Sequence, residues 1–383
     1  MGNMAQWLTE NWFNLFSSGG IVGGLWFTAV SLHSETNTRR VANLLTITAN
    51  YREVWKSAPK KATRALAGFF AIYGWSQAGT NCLTGKPNSR RRRLVGGGVF
   101  WQTAAMLDAS IRRTPRPQDL VGMSTQELRD TFAIANLFVP GEITGQFTDL
   151  DRLFVGGAMP AGKPIELPNH KETGRAFFLE RRELGAINVG GAGKVVADGH
   201  SFALEKLDCV YLPMGTKSVS FSSDDAKNPA KFYLLSCPAH AAHPARLMKS
   251  SEAAPVNLGA QETSNKRTIY KFIHQGGIQS CQLVMGLTAL EPGNVWNSFP
   301  PHTHWRRTEI YFYFDLGDKV VSHFFGEPQE TRHVFLHNEE VALSPNWSMH
   351  FGVGTGNYKF IWGMAGENQV FDDMDAVKPQ DLK

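Results

Sequence analysis

Cysteine is scarce: Cys82, Cys209, Cys237 and Cys281 are the four in 383 residues, far apart and without a Cys-x-x-Cys pair. Their scarcity excludes a disulfide framework and argues against thiolate zinc ligation. They are expected to be reduced, mostly buried thiols in a cytoplasmic protein, because a free cysteine behaves as a small hydrophobe. Charge is modest as well, at 19% charged residues against 42% hydrophobic ones. A largely disordered chain, a coiled coil and a polytopic membrane protein are thereby excluded. No Gly-x-Gly-x-x-Gly follows a strand-like run and helices do not alternate with strands, so the nucleotide-binding α/β classes are set aside too.

The net charge of +5 is unevenly placed. Residues 1–105 hold 12 Lys/Arg and 3 Asp/Glu, whereas residues 106–383 hold 27 and 31. Basic surplus is therefore confined to the first quarter of the chain, and no nucleic-acid partner is expected for the rest. Within that quarter, Asn11–Leu32 is uncharged. At about 1.5 Å per residue it is long enough to cross a hydrocarbon core of roughly 30 Å. Trp7 and Trp12 stand at one end and a cluster of Arg and Lys follows, which would place the remainder on the cytoplasmic side. Against a span, the stretch carries four glycines and several polar residues. Arg90–Arg93 and Gly96–Gly98 form a basic, glycine-rich linker. Residues 1–105 are thus expected to be a mainly helical or disordered extension. It is either an anchor tethering a cytoplasmic protein to the inner membrane, or an upstream reading frame with the native start at Met106.

After Met106 the texture changes. Ser124, with Glu127 at the capping-box position, opens a short helix predicted to reach Phe132. Beyond it, strand-length runs rich in Val, Phe, Tyr and Leu recur between Gly, Pro and Asn turns, which predicts an all-β sandwich or barrel. Two comparable halves, 106–255 and 256–383, predict tandem jelly rolls, a bicupin.

Eleven of the twelve histidines lie after residue 105. His302 and His304 are two apart, so on a strand both rings project from one face. Glu309 has the wrong parity for an unbroken strand and joins them only if Trp305–Thr308 bends or bulges. His350 follows a Ser-Pro-Asn turn, as on a neighbouring strand. Three imidazoles and a carboxylate suit Zn²⁺, with other first-row dications compatible. The first half has no His-x-His and is expected to be a copy without ligands.

Longer strings carry a resemblance. FFLERRELGAINVGGAG (Phe177–Gly193), TSNKRTIYK (Thr263–Lys271), HTHWRRTEIYFYF (His302–Phe314), FGEPQETRHVFLHNEE (Phe325–Glu340) and WGMAGENQVFDDMD (Trp362–Asp375) are similar to the 4-deoxy-L-threo-5-hexosulose-uronate ketol-isomerases of the cupin superfamily. The likeness runs from about Met106 to Lys383. It implies a zinc-dependent isomerase of pectin and uronate breakdown, with one Zn²⁺ per subunit on His302, His304, Glu309 and His350. The implied reaction converts 5-dehydro-4-deoxy-D-glucuronate to 3-deoxy-D-glycero-2,5-hexodiulosonate. A homo-oligomer, a hexamer, is implied as well. Glu330 and His333 are the expected proton carriers, with Tyr311 and Tyr313 behind them; Arg306, Arg307 and Arg332 are the expected partners of the substrate carboxylate. Alternatives are another metal-dependent cupin isomerase, such as a 5-deoxyglucuronate isomerase, and a non-catalytic sugar-binding cupin. Membrane contact is expected only through residues 1–105.

Overall fold

Apolar side chains at every second position between turn residues produce strands, and strands are the dominant regular element of the structure. The computed structural model describes residues 110–383; the extension, its candidate span and the arginine-rich linker lie outside the described residues. In chain order the strands are β1 (Ile111–Arg112), β2 (Ala133–Ile134), β3 (Ile143–Thr148), β4 (Phe154–Ala158), β5 (Ile165–Glu166), β6 (Arg182–Asn188), β7 (Gly193–Ala197), β8 (His200–Leu204), β9 (Cys209–Leu212), β10 (Val219–Ser223), β11 (Phe232–Pro238) and β12 (Arg246–Met248). They continue as β13 (Val256–Leu258), β14 (Arg267–Ile273), β15 (Val284–Leu290), β16 (Trp296–Thr303), β17 (Arg307–Phe314), β18 (Val321–Glu327), β19 (Glu330–Leu336), β20 (Glu340–Ser344), β21 (Met349–Gly354), β22 (Lys359–Gly366) and β23 (Asp375–Ala376).

Four sheets form two jelly rolls. In the first, a seven-stranded sheet (β1-β3-β4-β11-β6-β9-β12) covers a four-stranded one (β5-β10-β7-β8). In the second, a seven-stranded sheet (β13-β14-β15-β22-β17-β20-β2) covers a five-stranded one (β19-β18-β21-β16-β23). Strand alternation then makes three cores. On β11, Phe232 and Leu234 point into the first barrel, whereas Tyr233 and Leu235 point out of it. On β17, Tyr311 and Tyr313 enter the second barrel while Ile310, Phe312 and Phe314 face away. The outward sets of the two large sheets meet in a middle core, where the rings of Tyr233 and Phe312 stack 4.6 Å apart. Gly363 permits the close approach, since a Cβ there would lie 2.2 Å from Leu235 Cδ2. These strands are therefore apolar on both faces, as strands buried on both sides must be.

The helix forms where the capping box predicts it. Helix α1 (Thr125–Phe132) is capped by Ser124, whose backbone N–H donates to Glu127 Oε2 at 2.7 Å. The expected division at 255/256 needs one correction. Phe132 packs against Phe325 with ring centroids 4.5 Å apart, Arg129 pairs with Glu340 at 2.8 Å, and β2 pairs with β20. The segment from Leu120 to Ile134 thus completes the second jelly roll, where it covers the otherwise open edge of β20. Among the described residues, no helix is long and apolar enough to cross a membrane. Cys209, Cys237 and Cys281 are free thiols, the first two buried.

Candidate metal centre

The site is assembled by strand pairing inside the second barrel. His302 on β16 stands directly opposite His350 on β21. Residues Trp305 and Arg306 form a turn after His304, closed by Arg307 N–H donating to the His304 carbonyl at 3.1 Å. That turn carries the chain from the small sheet to the large one and resets the parity, so Glu309 on β17 faces inward with Tyr311 and Tyr313. His302, His304, Glu309 and His350 each offer one ligand atom, all within 4.8 Å of one another. Glu309 Oε2 lies 3.0 Å from His304 Nε2 and 2.9 Å from His350 Nε2, and the His302 and His350 Nε2 atoms are 3.0 Å apart. Ligands held about 2.0–2.1 Å from one ion are spaced in this range.

Neighbours prepare the donor atoms. The Arg307 carbonyl, which only accepts, lies 2.8 Å from His304 Nδ1; the ring hydrogen sits there and leaves the Nε2 lone pair toward the cluster. Ser344 Oγ, 2.9 Å from His350 Nδ1, orients that ring similarly. Burial pushes His302 down to about 3, with His350 adding to the effect. Burial also lowers His350, partly offset by Glu309. Burial opposes ionisation of Glu309, yet His350 and His304 hold its carboxyl well below the usual range. His304 is raised in spite of burial by its hydrogen bond to Glu309. A metal ion requires an ionised carboxylate facing neutral imidazoles. The shifts of Glu309, His302 and His350 favour that state, whereas His304, raised by Glu309, takes up an ion in competition with a proton.

The first barrel has apolar residues at the matching register. Glu309 pairs with Ser344 across β17–β20, and Leu184 pairs with Leu212 across β6–β9. The row Arg332–Phe325–His350–His302 corresponds to Phe202–Val195–Phe221–Ile165.

Other expected site residues are dispersed. Arg306 donates from Nε to both Asp373 carboxylate oxygens at 2.8 Å and pairs with Asp375 at 3.1 Å. Arg307 is buried and donates to the carbonyls of Val370 at 2.7 Å and Asp373 at 2.8 Å. Both expectations of a free carboxylate-binding fork are therefore corrected: these arginines hold down the C-terminal segment. Arg332 faces the barrel interior in the His350 row, two strands away, with Glu330 paired to it at 2.6 Å. His333 is the second correction. Alternation turns it to the outer face, between the rings of Phe324 at 5.6 Å and Phe335 at 5.4 Å. Glu330 has its carboxylate on Arg332, and none of its hydrogen bonds reaches the cluster.

Tyr311 stands closer, its ring 5.4 Å from that of His350 and its hydroxyl 3.1 Å from Ser298 Oγ. His323, Asn297, Ser298 and Ser344 had not been expected here. Their one signal in the sequence is a polar residue at an inward, otherwise apolar position, as in Val321-Ser-His323-Phe-Phe325.

Two packed jelly rolls, one of them enclosing a three-imidazole, one-carboxylate cluster, define a bicupin with a ligand set able to hold one metal ion. The family model described as the KduI/IolB family matches residues 142–378, and the chain belongs to that family. A 4-deoxy-L-threo-5-hexosulose-uronate ketol-isomerase of Halalkalibacterium halodurans is 49% identical over 273 residues, covering 71% of this chain and 99% of that protein. A protein of the same name from Caldicellulosiruptor bescii is 48% identical over 274 residues, with the same coverage of 71% and 99%. Among solved structures, an IolB-like protein from Salmonella typhimurium LT2 superimposes with a TM-score of 0.49 at 17% identity, over 59% of this chain and 87% of that one.

Proposed function

We propose that this chain is a metal-dependent ketol-isomerase acting on 4-deoxy-L-threo-5-hexosulose uronate, with His302, His304, Glu309 and His350 holding one Zn²⁺. The observation that carries this reading is the convergence of those four ligand atoms within 4.8 Å. It sits in a chain 49% identical to a relative of that activity across 99% of the relative's length. An aldehyde–ketone exchange moves one proton between adjacent carbons and one between their oxygens, with no net redox change. A dication bound at the cluster supplies Lewis acidity for the carbonyl and for the enediol charge that develops.

The chain's own residues do the rest. Arg332, on the inner face, binds the substrate carboxylate, and Glu330 positions its guanidinium. Tyr311, with its hydroxyl proton retained by burial well above the usual pKa, is the side chain best placed to hold a proton near the reacting carbons. It takes the role first given to Glu330 and His333. A cytoplasmic location and a homohexamer complete the reading, the latter checked by light scattering.

The test is turnover by the zinc-loaded chain of the ketouronate derived from pectin. Formation of the diketo acid, its loss on chelation, and loss of both metal and turnover in His302→Ala are expected. Full activity in His302→Ala rejects the ligand assignment. Turnover of 5-deoxyglucuronate instead points to the other isomerase, and binding without turnover points to a sugar-binding cupin.

A further inference from the structure

The second barrel also buries a polar network that the proposed ligand set does not use. Asn297, Gly352 and His323 stand opposite one another on β16, β21 and β18, one inward row on from His350. The Tyr313 hydroxyl fills the space over Gly352, where a Cβ would lie 3.0 Å from both Tyr313 Oη and Asn297 Nδ2. From there it is 2.8 Å from His323 Nδ1 and 3.3 Å from Asn297 Nδ2. Asn297 Nδ2 also donates to Tyr358 Oη at 2.8 Å, and Tyr358 donates to the Val295 carbonyl at 3.1 Å.

An amide nitrogen only donates, so Tyr313 accepts from Asn297; its own proton finds an acceptor when it is given to His323 Nδ1, the arrangement that leaves no buried O–H unused. The hydrogen of the neutral His323 ring is then on Nε2. That Nε2 is buried with no partner, and so is Asn297 Oδ1. Buried polar atoms are nearly always bonded, so an orphaned pair inside a barrel marks the place of a polar ligand or a bound water. The Tyr311 ring lies 5.2 Å from the His323 ring and 5.4 Å from the His350 ring, beside both.

We propose that His323 is a substrate-contacting residue whose Nε2–H donates to a hydroxyl or keto oxygen of the sugar acid. The Asn297–Tyr313 chain sets its tautomer. This contact, together with Arg332 at the carboxylate, decides which carbons lie beside the metal cluster. The proposal rests on the isomerase reading for the identity of its ligand, but its test can be read separately.

In the full-length, zinc-loaded protein, three variants divide the ring's functions. His323→Gln keeps an N–H near the Nε2 position, His323→Asn keeps a polar atom only near Nδ1, and His323→Leu keeps volume alone. Three quantities are measured beside melting temperature: zinc content, kcat and KM on the ketouronate, and calorimetric affinity for the borohydride-reduced ketouronate, which cannot isomerise. All three variants should retain zinc. Leu and Asn should lose about tenfold or more in probe affinity and kcat/KM, the effect of one hydrogen bond to a ligand, with Gln within about threefold of wild type. A Gln variant indistinguishable from Leu, or three variants all like wild type, overturns the proposal and leaves a structural water as the partner of Nε2. If wild type binds the reduced acid without isomerising the ketouronate, the isomerase reading fails while the affinities still decide the role of His323. If wild type binds neither compound, both fall.

Discussion

Leu184 and Glu309 occupy matching places in the two barrels, and the difference between a closed apolar core and a ligand cluster able to hold a metal ion is a few such residues. Most polar atoms in the second barrel are given a partner, His323 Nε2 and Asn297 Oδ1 being exceptions, and single substitutions should reveal how tightly the packing holds them. Gly352→Ala would press a methyl group against Tyr313 Oη and Asn297 Nδ2, both 3.0 Å from its Cβ. A loss of about 1–3 kcal/mol in urea unfolding is expected, as for other overpacked cores, with zinc content unchanged. The pH dependence of stability has a definite sign. Burial depresses folded His323 from 6.5 to about 3, so the unfolded chain takes up the proton first. Stability from the neutral ring is complete above about pH 6.5 and falls by about 1.4 kcal/mol per unit as pH drops toward 3. His323→Gln should flatten the metal-free protein's stability profile between pH 6.5 and 4 by that amount. An unchanged slope would show that the ring is not buried as a neutral group.

At the scale of elements, alternation and turns decide which side chains work together. On β19, Val334 and Leu336 enter the barrel core, which puts Arg332 inward and His333 outward. Between β16 and β17, the Trp305–Arg306 turn brings Glu309 to the histidines and spends two arginines on anchoring Val370–Asp375. Arg332→Lys should therefore raise KM for the ketouronate by about tenfold or more, since an ammonium cannot replace the bidentate fork. Arg306→Lys should leave KM unchanged and affect only the melting temperature; equal KM effects in steady-state kinetics would contradict the division. Much of this level was legible in the sequence. Ser124 and Glu127 marked the helix, the Gly, Pro and Asn turns marked a chain of short strands, and the His-x-His spacing with Glu309 and His350 marked the cluster once a bend was allowed. Which face of β19 looks inward was not legible, because Glu-Thr-Arg-His contains no apolar residue to orient it. Nor was the fate of Arg306 and Arg307, whose partners lie more than sixty residues on and, for Arg307, are backbone carbonyls.

At the scale of the molecule, the middle core makes the two jelly rolls one folding unit. Tyr233, Leu235, Phe312 and Met285 belong to it from both sides. Glu183, wholly buried on β6, adds a polar lock: it accepts from the Tyr211 hydroxyl at 2.8 Å and from the backbone N–H groups of Cys281 at 2.7 Å, Gln282 at 2.8 Å and Leu283 at 2.8 Å. Glu183→Gln sets an amide N–H₂ against donors and should cost about 3 kcal/mol while keeping a single unfolding transition. The apolar first barrel thus acts as the support on which the large sheet of the second is held flat against its neighbour, fixing Glu309 on β17. A fragment of residues 256–383 contains every proposed metal ligand, yet it lacks α1 and β2, leaves the β20 edge open and exposes one whole face of the middle core. Such a fragment should fail to give the cooperative thermal transition and the stoichiometric zinc binding expected of residues 110–383. A soluble, cooperatively folding fragment with full zinc occupancy would mean that the second barrel stands alone and that the shared core contributes nothing to the site.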